Sequence, residues 1–180
     1  MLALGTLIFI VSYNLDNQVN LLFKGLKSPL LDVVFGLVTN FSVVISVMAV
    51  IPSIIFYKKN NRLIYLQWLA FFVSFALAFI IKLAVLRQRP IEAFTFPFTD
   101  IINYSFPSMH AMVAFSLLPI IIKYLPKQRF FWIIFAFLVA FSRVYFGLHF
   151  LSDVVFGMFA GYFIGSYLVG LYEKGKLWKK

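Results

Sequence analysis

The sequence predicts an all-α fold, a polytopic membrane helix bundle of about six transmembrane helices, from two observations. The first is composition: 63% of the 180 residues are hydrophobic and only 12% are charged, whereas a soluble domain carries about 25% charged residues. The second is that apolar residues form long stretches between short polar connections, unlike the weak alternating segments of a membrane barrel. We therefore expect one domain, residues 1–180, whose solvent is the lipid bilayer.

Six apolar segments account for the predicted helices. They cover roughly residues 1–13, 33–57, 63–86, 109–125, 130–146 and 149–171. A membrane span needs about 20 apolar residues, so the second, third and sixth segments are long enough, and the fourth and fifth are marginal. Prolines at positions 52 and 119 predict kinks in the second and fourth segments.

The first segment is short, because polar residues begin at Asn14 and Asp16. We expect a spanning helix that continues past Asp16. The segment has no basic region and no small-residue cleavage site at its start, so a removed signal peptide is not expected.

The net charge of +10 is spread over short connections, which is typical of topology signals and contacts with anionic lipids rather than of nucleic-acid binding. Lysines and arginines group between the second and third segments, between the fourth and fifth, and after the sixth: Lys58, Lys59, Arg62, Lys123, Lys127, Arg129, Lys174, Lys176, Lys179 and Lys180. The positive-inside rule assigns these regions to the cytoplasm. The chain has no cysteine, which excludes disulfides and thiolate metal sites.

Three polar clusters interrupt the apolar chain, at Lys82–Pro90, Pro107–His110 and Ser142–Asp153. The alternating helices place all three on the face opposite the basic connections. Their convergence predicts one composite site on the non-cytoplasmic side of the membrane.

The polar residues of these clusters are the types that bind a phosphate group. A transferring phosphoryl group is stabilised mainly by positioned cations and hydrogen-bond donors. Lys82, Arg89 and Arg143 supply the cations, and Ser108 adds a donor. Because cations outnumber carboxylates here, a divalent metal site is not expected. In the alternative interpretation, Lys82 snorkels to the interface and Arg143 forms a structural ion pair with Asp153.

The two histidines of the chain complete the candidate site. His149 and Asp153 are four residues apart, so on one helix they would share a face and the carboxylate could orient the imidazole for attack. A helix that begins near His149, after Gly147, would also direct its N-terminus at an anion. His110 is then suited to protonate the leaving group.

The spacing of these residues resembles that of the type 2 phosphatidic acid phosphatase family, integral-membrane lipid phosphatases related in core motif to bacterial acid phosphatases and vanadium haloperoxidases. The three matching motifs are Lys82, six residues, then Arg89-Pro90; Pro107-Ser108-Met109-His110; and Ser142-Arg143, five residues, His149, three residues, then Asp153. The second motif departs from the family pattern at Met109, where glycine is usual. A bulky side chain there puts the substrate shape and the turnover in question more than the reaction class.

The resemblance implies a role for each motif residue and a metal-independent phosphatase without a cofactor. His149 would be the nucleophile that forms a phosphohistidine, Asp153 would orient it, His110 would be the acid, and Lys82, Arg89, Ser108 and Arg143 would hold the phosphate. We expect a multi-pass enzyme of the plasma or inner membrane. Its substrate would be a lipid phosphomonoester or pyrophosphate, of the polyprenyl pyrophosphate, phosphatidylglycerophosphate or phosphatidic acid class. Two alternatives are a lipid phosphotransferase with the same motifs and a non-catalytic protein that binds or transports anionic lipids.

Two further patterns allow two interpretations each. Aromatic residues are frequent in the connection between the first two motifs: Phe94, Phe96, Phe98, Tyr104 and Phe106. They would form a lid against the lipid or, in the other interpretation, pack on the end of the bundle. Gly157, Gly161 and Gly165 follow a four-residue spacing that permits close helix packing. That packing would lie inside a monomer or, as the second interpretation, between the subunits of a homodimer.

Overall fold

The computed structural model describes residues 2–90 and 104–178, and these ranges contain helices and no strand. The helices are α1 (Leu2–Gly25), α2 (Pro29–Thr39), α3 (Phe41–Tyr57), α4 (Asn61–Val85), α5 (Met109–Tyr124), α6 (Arg129–Tyr145) and α7 (Leu151–Glu173). The predicted all-α fold is confirmed.

Three helical segments of the described chain are long and apolar enough to cross a membrane. They are Asn61–Val85, Pro126–Tyr145 and Leu151–Glu173, and the α2–α3 pair makes a fourth if it counts as one bent span. Helix α5 is apolar but only 16 residues long. Helix α1 continues through Asp16 to Gly25, as predicted, but it is not among the candidate spans. A membrane bundle is therefore established, whereas six full spans stay a prediction.

The second apolar segment is two helices rather than one. Helices α2 and α3 meet at an angle of 59°, and the bend lies at Asn40. The Asn40 side chain accepts a hydrogen bond from the backbone N–H of Ser42 at 2.9 Å. Asparagine favours such caps over a helix interior, because its side chain competes for the backbone hydrogen bonds. The bend brings Thr39 towards the polar end of the bundle, as described below.

Pro52 lies just after a π-helical stretch, Ser46–Val50, inside α3. A proline has no N–H to bond the carbonyl four residues earlier, here that of Met48. The buried Gln67 side chain of α4 donates instead to the carbonyls of Met48 and Ala49, at 3.4 and 2.6 Å. Pro119, where the sequence predicts a kink, lies inside α5. The helix continues without a break on both sides of this proline.

Helix α5 is the central helix of the bundle, and α7 packs along it so closely that the backbones of the two helices are in contact. Every side chain from Ala111 to Ile121 is buried. Gly157, Gly161 and Gly165 face the backbone carbonyls of Ser108, Met112 and Ser116. The predicted close packing through these glycines is thus confirmed, and it joins two helices of the same chain.

We expect Gly161→Ala to destabilise the protein strongly. A Cβ atom at position 161 would overlap the carbonyl group of Met112, and neither helix backbone can move without disturbing the rest of the α5–α7 contact. The expected loss is about 3 kcal/mol or more, measured as a lower unfolding temperature in detergent. Gly170→Ala is the matched control, because no atom lies within 4 Å of a Cβ built there. A Gly161→Ala protein as stable as that control would contradict the packing argument.

Contacts between the helix ends define two ends of the bundle. At one end the Asn60 side chain donates to the Tyr172 hydroxyl at 3.1 Å, and Lys123 forms an ion pair with Glu173. At the other end lie the C-termini of α4 and α6 and the N-termini of α5 and α7. The three polar clusters of the sequence all lie at this second end.

Candidate active site

Hydrogen bonds between the three polar clusters join them into one site. The ammonium group of Lys82 donates to the carbonyl of Tyr104 at 2.5 Å, and Arg89 donates to the carbonyl of Leu148 at 2.9 Å. The backbone N–H of Ser108 donates to the carbonyl of Asp153 at 3.1 Å. Residues far apart in the sequence therefore form a continuous polar region at the end of an apolar bundle.

The first cluster leaves α4 through a left-handed turn at Leu86. Leu86 has φ of 52° and donates its N–H to the carbonyl of Lys82 at 3.1 Å, which ends the helix. A non-glycine residue rarely adopts this conformation. The chain that follows is fixed by Ser105, whose N–H donates to the Arg87 carbonyl at 2.7 Å and whose hydroxyl donates to the Gln88 carbonyl at 2.9 Å.

A Schellman turn at the end of α6 positions Arg143 and His149. Gly147 has φ of 66°, the left-handed conformation that glycine adopts at little steric cost. The N–H groups of Leu148 and His149 both donate to the Arg143 carbonyl, at 3.1 and 3.2 Å. The turn therefore fixes His149, the candidate nucleophile, relative to Arg143, a candidate phosphate ligand.

The His149 imidazole is buried and held by the chain on one side. Its Nδ1 lies 2.6 Å from the Ser105 carbonyl oxygen and 3.7 Å from Oδ2 of Asp153. A carbonyl only accepts, so Nδ1 carries the proton and Nε2 keeps its lone pair. Burial, with added repulsion from nearby cations, holds the pKa of His149 well below its usual range. The imidazole is therefore neutral at neutral pH, the form a nucleophile needs.

The N-terminus of α7, which we expected to face an anion, is already occupied by carboxylates. Asp153 Oδ2 accepts from the Phe150 N–H at 2.8 Å, and Asp16 Oδ1 accepts from the Ser152 N–H at 2.8 Å. His149 precedes this helix, which begins at Leu151. The helix end that stays open is that of α5, where Ser108 is the N-cap and makes no side-chain capping bond.

The bend between α2 and α3 supplies a third wall of the site. Arg143 donates to the Thr39 hydroxyl and carbonyl at 2.5 and 3.3 Å. The His110 ring approaches the same carbonyl and packs edge-on against Phe41, with ring centroids 4.8 Å apart. Asp153 pairs with Arg87, so the proposed structural ion pair between Arg143 and Asp153 is not what the structure shows.

Clustered cations and unused donors characterise the centre of the site. Among the described residues, Lys82, Arg89 and Arg143 approach one another here, whereas a fourth cation, Arg87, pairs with Asp16 and Asp153. Within the described residues, Ser108 Oγ and Arg143 Nε are buried without a hydrogen-bond partner. Buried polar groups are usually satisfied, so this arrangement fits a negatively charged ligand that is rich in acceptors.

Met109 occupies the first turn of α5 in ordinary helical conformation, and its side chain packs against the apolar core. The substitution of methionine for the usual glycine is therefore accommodated without a left-handed backbone. Among the residues that the structure describes, no group of three or more His, Cys, Asp or Glu could hold a metal ion.

Of the aromatic residues between the first two motifs, Phe94, Phe96 and Phe98 lie outside the described residues. Phe106 packs between Phe156 and Phe9, with ring centroids 4.7 and 6.1 Å away. These three rings close one end of an apolar groove of about 420 Å³ between α1 and α7. The remaining lining residues are Gly5, Thr6, Phe159, Ala160 and Phe163.

Four residues of the site were not predicted as site residues from the sequence: Asp16, Thr39, Arg87 and Ser105. Asp16 and Arg87 could have been identified from the sequence, because ionisable groups in or beside membrane helices are often functional. Thr39 and Ser105 could not have been found, because each contributes a backbone carbonyl, which every residue has, and a hydroxyl that belongs to none of the motifs.

Comparisons with known proteins agree with the motifs. The sequence model of the PAP2 superfamily matches residues 63–176. Phosphatidylglycerophosphatase B of Bacillus subtilis (strain 168) is 29% identical, in a match that covers 86% of this chain and 82% of that protein. The crystal structure of a transmembrane PAP2-type phosphatidylglycerolphosphate phosphatase from Bacillus subtilis has the same fold, with a TM-score of 0.75, 24% identity and 96% coverage of both chains. The predicted class of enzyme, a hydrolase of phosphate esters, is confirmed, and the chain belongs to the PAP2 superfamily.

Proposed function

We propose that this protein hydrolyses the phosphomonoester or pyrophosphate group of a membrane lipid through a phosphohistidine at His149. The observation that carries the proposal is the pairing of a neutral, oriented imidazole with the clustered cations Lys82, Arg89 and Arg143 and the unused donors of Ser108 and Arg143. A phosphate dianion matches both the charge and the need for acceptors.

In the first step Nε2 of His149 attacks phosphorus, and the bond between phosphorus and the lipid oxygen breaks. His110, which the bound phosphate dianion keeps protonated against the nearby cations, gives its proton to the departing oxygen, which leaves as an alcohol, or as a phosphate from a pyrophosphate. The negative charge that spreads over the phosphoryl oxygens is stabilised by Lys82, Arg89, Arg143 and Ser108, and by the amide groups at the start of α5.

In the second step water attacks phosphorus, and the bond between Nε2 and phosphorus breaks. His110, now neutral, accepts the water proton, and inorganic phosphate leaves. The Ser105 carbonyl keeps Nδ1 of His149 protonated before attack and stabilises the positive imidazole of the intermediate, with Asp153 3.7 Å away. The cations provide the charge that a divalent metal would otherwise bring, so we propose a metal-independent reaction.

The apolar groove beside the site supports a lipid as the substrate. It is lined by aromatic rings from α1 and α7, and Phe106 at its end directly precedes the Pro107–His110 motif. A hydrocarbon chain in this groove would hold its phosphate near the N-terminus of α5. The relative named for phosphatidylglycerophosphate makes that lipid the first candidate, before polyprenyl pyrophosphates and phosphatidic acid.

The alternatives differ in what receives the phosphoryl group. A phosphotransferase would pass it or the headgroup to an added acceptor alcohol, and a non-catalytic binding or transport protein would release no phosphate. The defined tautomer of His149 argues against the second alternative, because binding alone needs no oriented nucleophile. The working form of the protein is a monomer or a homodimer.

Phosphate release from a panel of lipids tests the proposed function. We expect purified protein to release phosphate from long-chain lipid phosphates, with lower KM than for short-chain analogues that fill the groove less. Activity should survive excess chelator. Absence of phosphate release with every lipid, or headgroup transfer to an added acceptor lipid instead of water, would overturn the hydrolase proposal. Loss with chelator and recovery with magnesium or zinc would overturn metal independence.

We propose that the site faces away from the cytoplasm, because the basic connections Lys58–Arg62, 123–129 and 174–176 lie at the opposite end of the bundle. Two single-cysteine variants test this in a chain without cysteine. Lys27→Cys is exposed at the site end, and Asn61→Cys is exposed at the other end. An impermeant thiol reagent should label only Lys27→Cys on intact cells. Labelling of Asn61→Cys alone would invert the protein.

A further inference from the structure

We propose that Arg87 is a positioning residue, which joins Asp16 of α1 to Asp153 of α7 and thereby fixes His149 for attack. This inference deepens the proposed function and rests on it for the role of His149. Arg87 lies outside the residues that match the three motifs, and it does not hold the phosphate in the mechanism above.

The guanidinium group of Arg87 bridges two carboxylates from two helices. Its NH1 donates to Asp153 Oδ1 at 2.6 Å and to the Ser152 hydroxyl at 2.7 Å, and its NH2 donates to Asp16 Oδ2 at 2.7 Å. Asp16 also accepts from the N–H and hydroxyl of Ser152 at 2.8 and 2.6 Å. A closed network of charge-assisted hydrogen bonds thus ties the N-terminus of α7 to α1.

One path from Arg87 to His149 runs through the Asp153 carboxylate. Because Oδ1 is held by Arg87, the carboxylate cannot rotate, and Oδ2 stays directed at the Phe150 N–H and at Nδ1 of His149, 2.8 and 3.7 Å away. Without the guanidinium, Asp153 would be a buried carboxylate that has lost its paired cation. Such a group reorganises or takes up a proton.

A second path runs through the backbone. The Arg87 carbonyl accepts from the Ser105 N–H at 2.7 Å, and the Ser105 carbonyl lies 2.6 Å from Nδ1 of His149. The side-chain bonds of Arg87 anchor the backbone to which Ser105 is attached. Both groups that face Nδ1, the Ser105 carbonyl and the Asp153 carboxylate, are therefore fixed by the same arginine.

Lysine cannot fully replace this arginine, because the two terminal nitrogens of the guanidinium donate to two different carboxylates at once. The guanidinium is also stacked over the Phe150 ring, 4.0 Å from its centroid, and lies 5.2 Å from that of Tyr13. A lysine ammonium keeps the charge but has neither the planar face nor two separated donors. Arg87→Lys keeps the positive charge and Arg87→Met removes it, so the two variants together separate the effect of the charge from the effect of the guanidinium geometry.

The test compares Arg87→Lys and Arg87→Met with the wild type on a long-chain lipid phosphate. We expect kcat to fall about 100-fold for Arg87→Met, because a displacement of about 1 Å at the nucleophile has an effect of that order. Arg87→Lys should recover only part of this loss, and KM should change little because the phosphate ligands remain. Arg129→Met is the matched control: that arginine also lies over an aromatic ring, Phe130, but at the other end of the bundle.

A double-mutant cycle with Asp153→Asn separates positioning from general support of the fold. Because Asp153 carries one of the two paths, Arg87→Met should lower kcat clearly less in the Asp153→Asn background than in the wild type, and the loss that remains belongs to the path through Ser105. Full additivity of the two losses, an unchanged kcat in Arg87→Met, or a rise in KM alone would each overturn the proposal. Should Arg87→Met not fold, Asp16→Asn removes the other anchor, and an unchanged kcat in that variant would equally overturn it.

A spectroscopic readout keeps this inference separate from the proposed function. The chain has two histidines, so ¹⁵N-histidine labelling together with His110→Gln identifies His149. We expect a single Nδ1–H tautomer in the wild-type background and a mixture of tautomers after Arg87→Met. If wild-type protein releases no phosphate, the proposed function fails while the tautomer change still reports on Arg87. An unchanged tautomer in a folded Arg87→Met protein would contradict positioning even in an active enzyme.

Discussion

Replacing His149 by alanine is expected to lower phosphate release by about 1,000-fold or more, since loss of a nucleophile removes the covalent step itself. Binding of a lipid phosphate should be largely preserved, because Lys82, Arg89 and Arg143 remain in place. His149 is buried, and its ring makes one hydrogen bond with the described chain, from Nδ1 to the Ser105 carbonyl. The variant therefore loses one hydrogen bond and some packing, not the framework of the site.

Three measurements on the same preparation interpret the result: phosphate release, lipid phosphate binding and the unfolding temperature. Trapping of ³²P on the wild-type protein during turnover, and its absence from His149→Ala, would identify the residue that carries the phosphoryl group. Near-wild-type turnover by a well-folded His149→Ala protein would falsify the assignment of the nucleophile. Loss of binding together with activity would instead make His149 a phosphate ligand.

The sequence predicted well what depends on local spacing. Glycines at 157, 161 and 165 share one helix face because of the helical repeat, and the structure shows them against α5. The alternating direction of helices α4 to α7 brought the three motifs to one end of the bundle, which requires only that each of these four helices runs from one end to the other. Both inferences rest on the geometry of single helices, and single-helix geometry is encoded in short stretches of sequence.

Features that depend on pairing between distant segments were not predictable. Asp16 and Arg87 are 71 residues apart, and no periodicity relates them. The N-terminus of α7 was expected to be open to an anion, but the Asp16 and Asp153 carboxylates reach it first. The break at Asn40 was missed because an apolar run continues on both sides, and apolar patterning does not reveal a capping side chain.

His110→Ala is expected to separate the two chemical steps by the leaving group. Protonation matters most for a poor leaving group such as a lipid alkoxide, so activity on a phosphomonoester lipid should fall by about 100-fold or more. An aryl phosphate departs as a stabilised anion, and the loss on that substrate should be several-fold smaller. His149→Ala should lose both activities alike, because attack precedes either departure.

Pre-steady-state kinetics on both substrates make the comparison valid, since it requires chemistry to limit the rate. His110→Gln is a useful second variant, because an amide of similar size can still approach the Thr39 carbonyl but cannot supply the proton. Equal losses on the two substrates in both variants would show that His110 binds phosphate or supports the bend at Asn40. The acid would then have to be sought elsewhere, and Lys82 is the buried donor from which that search would start, because its ammonium group already lies among the phosphate ligands.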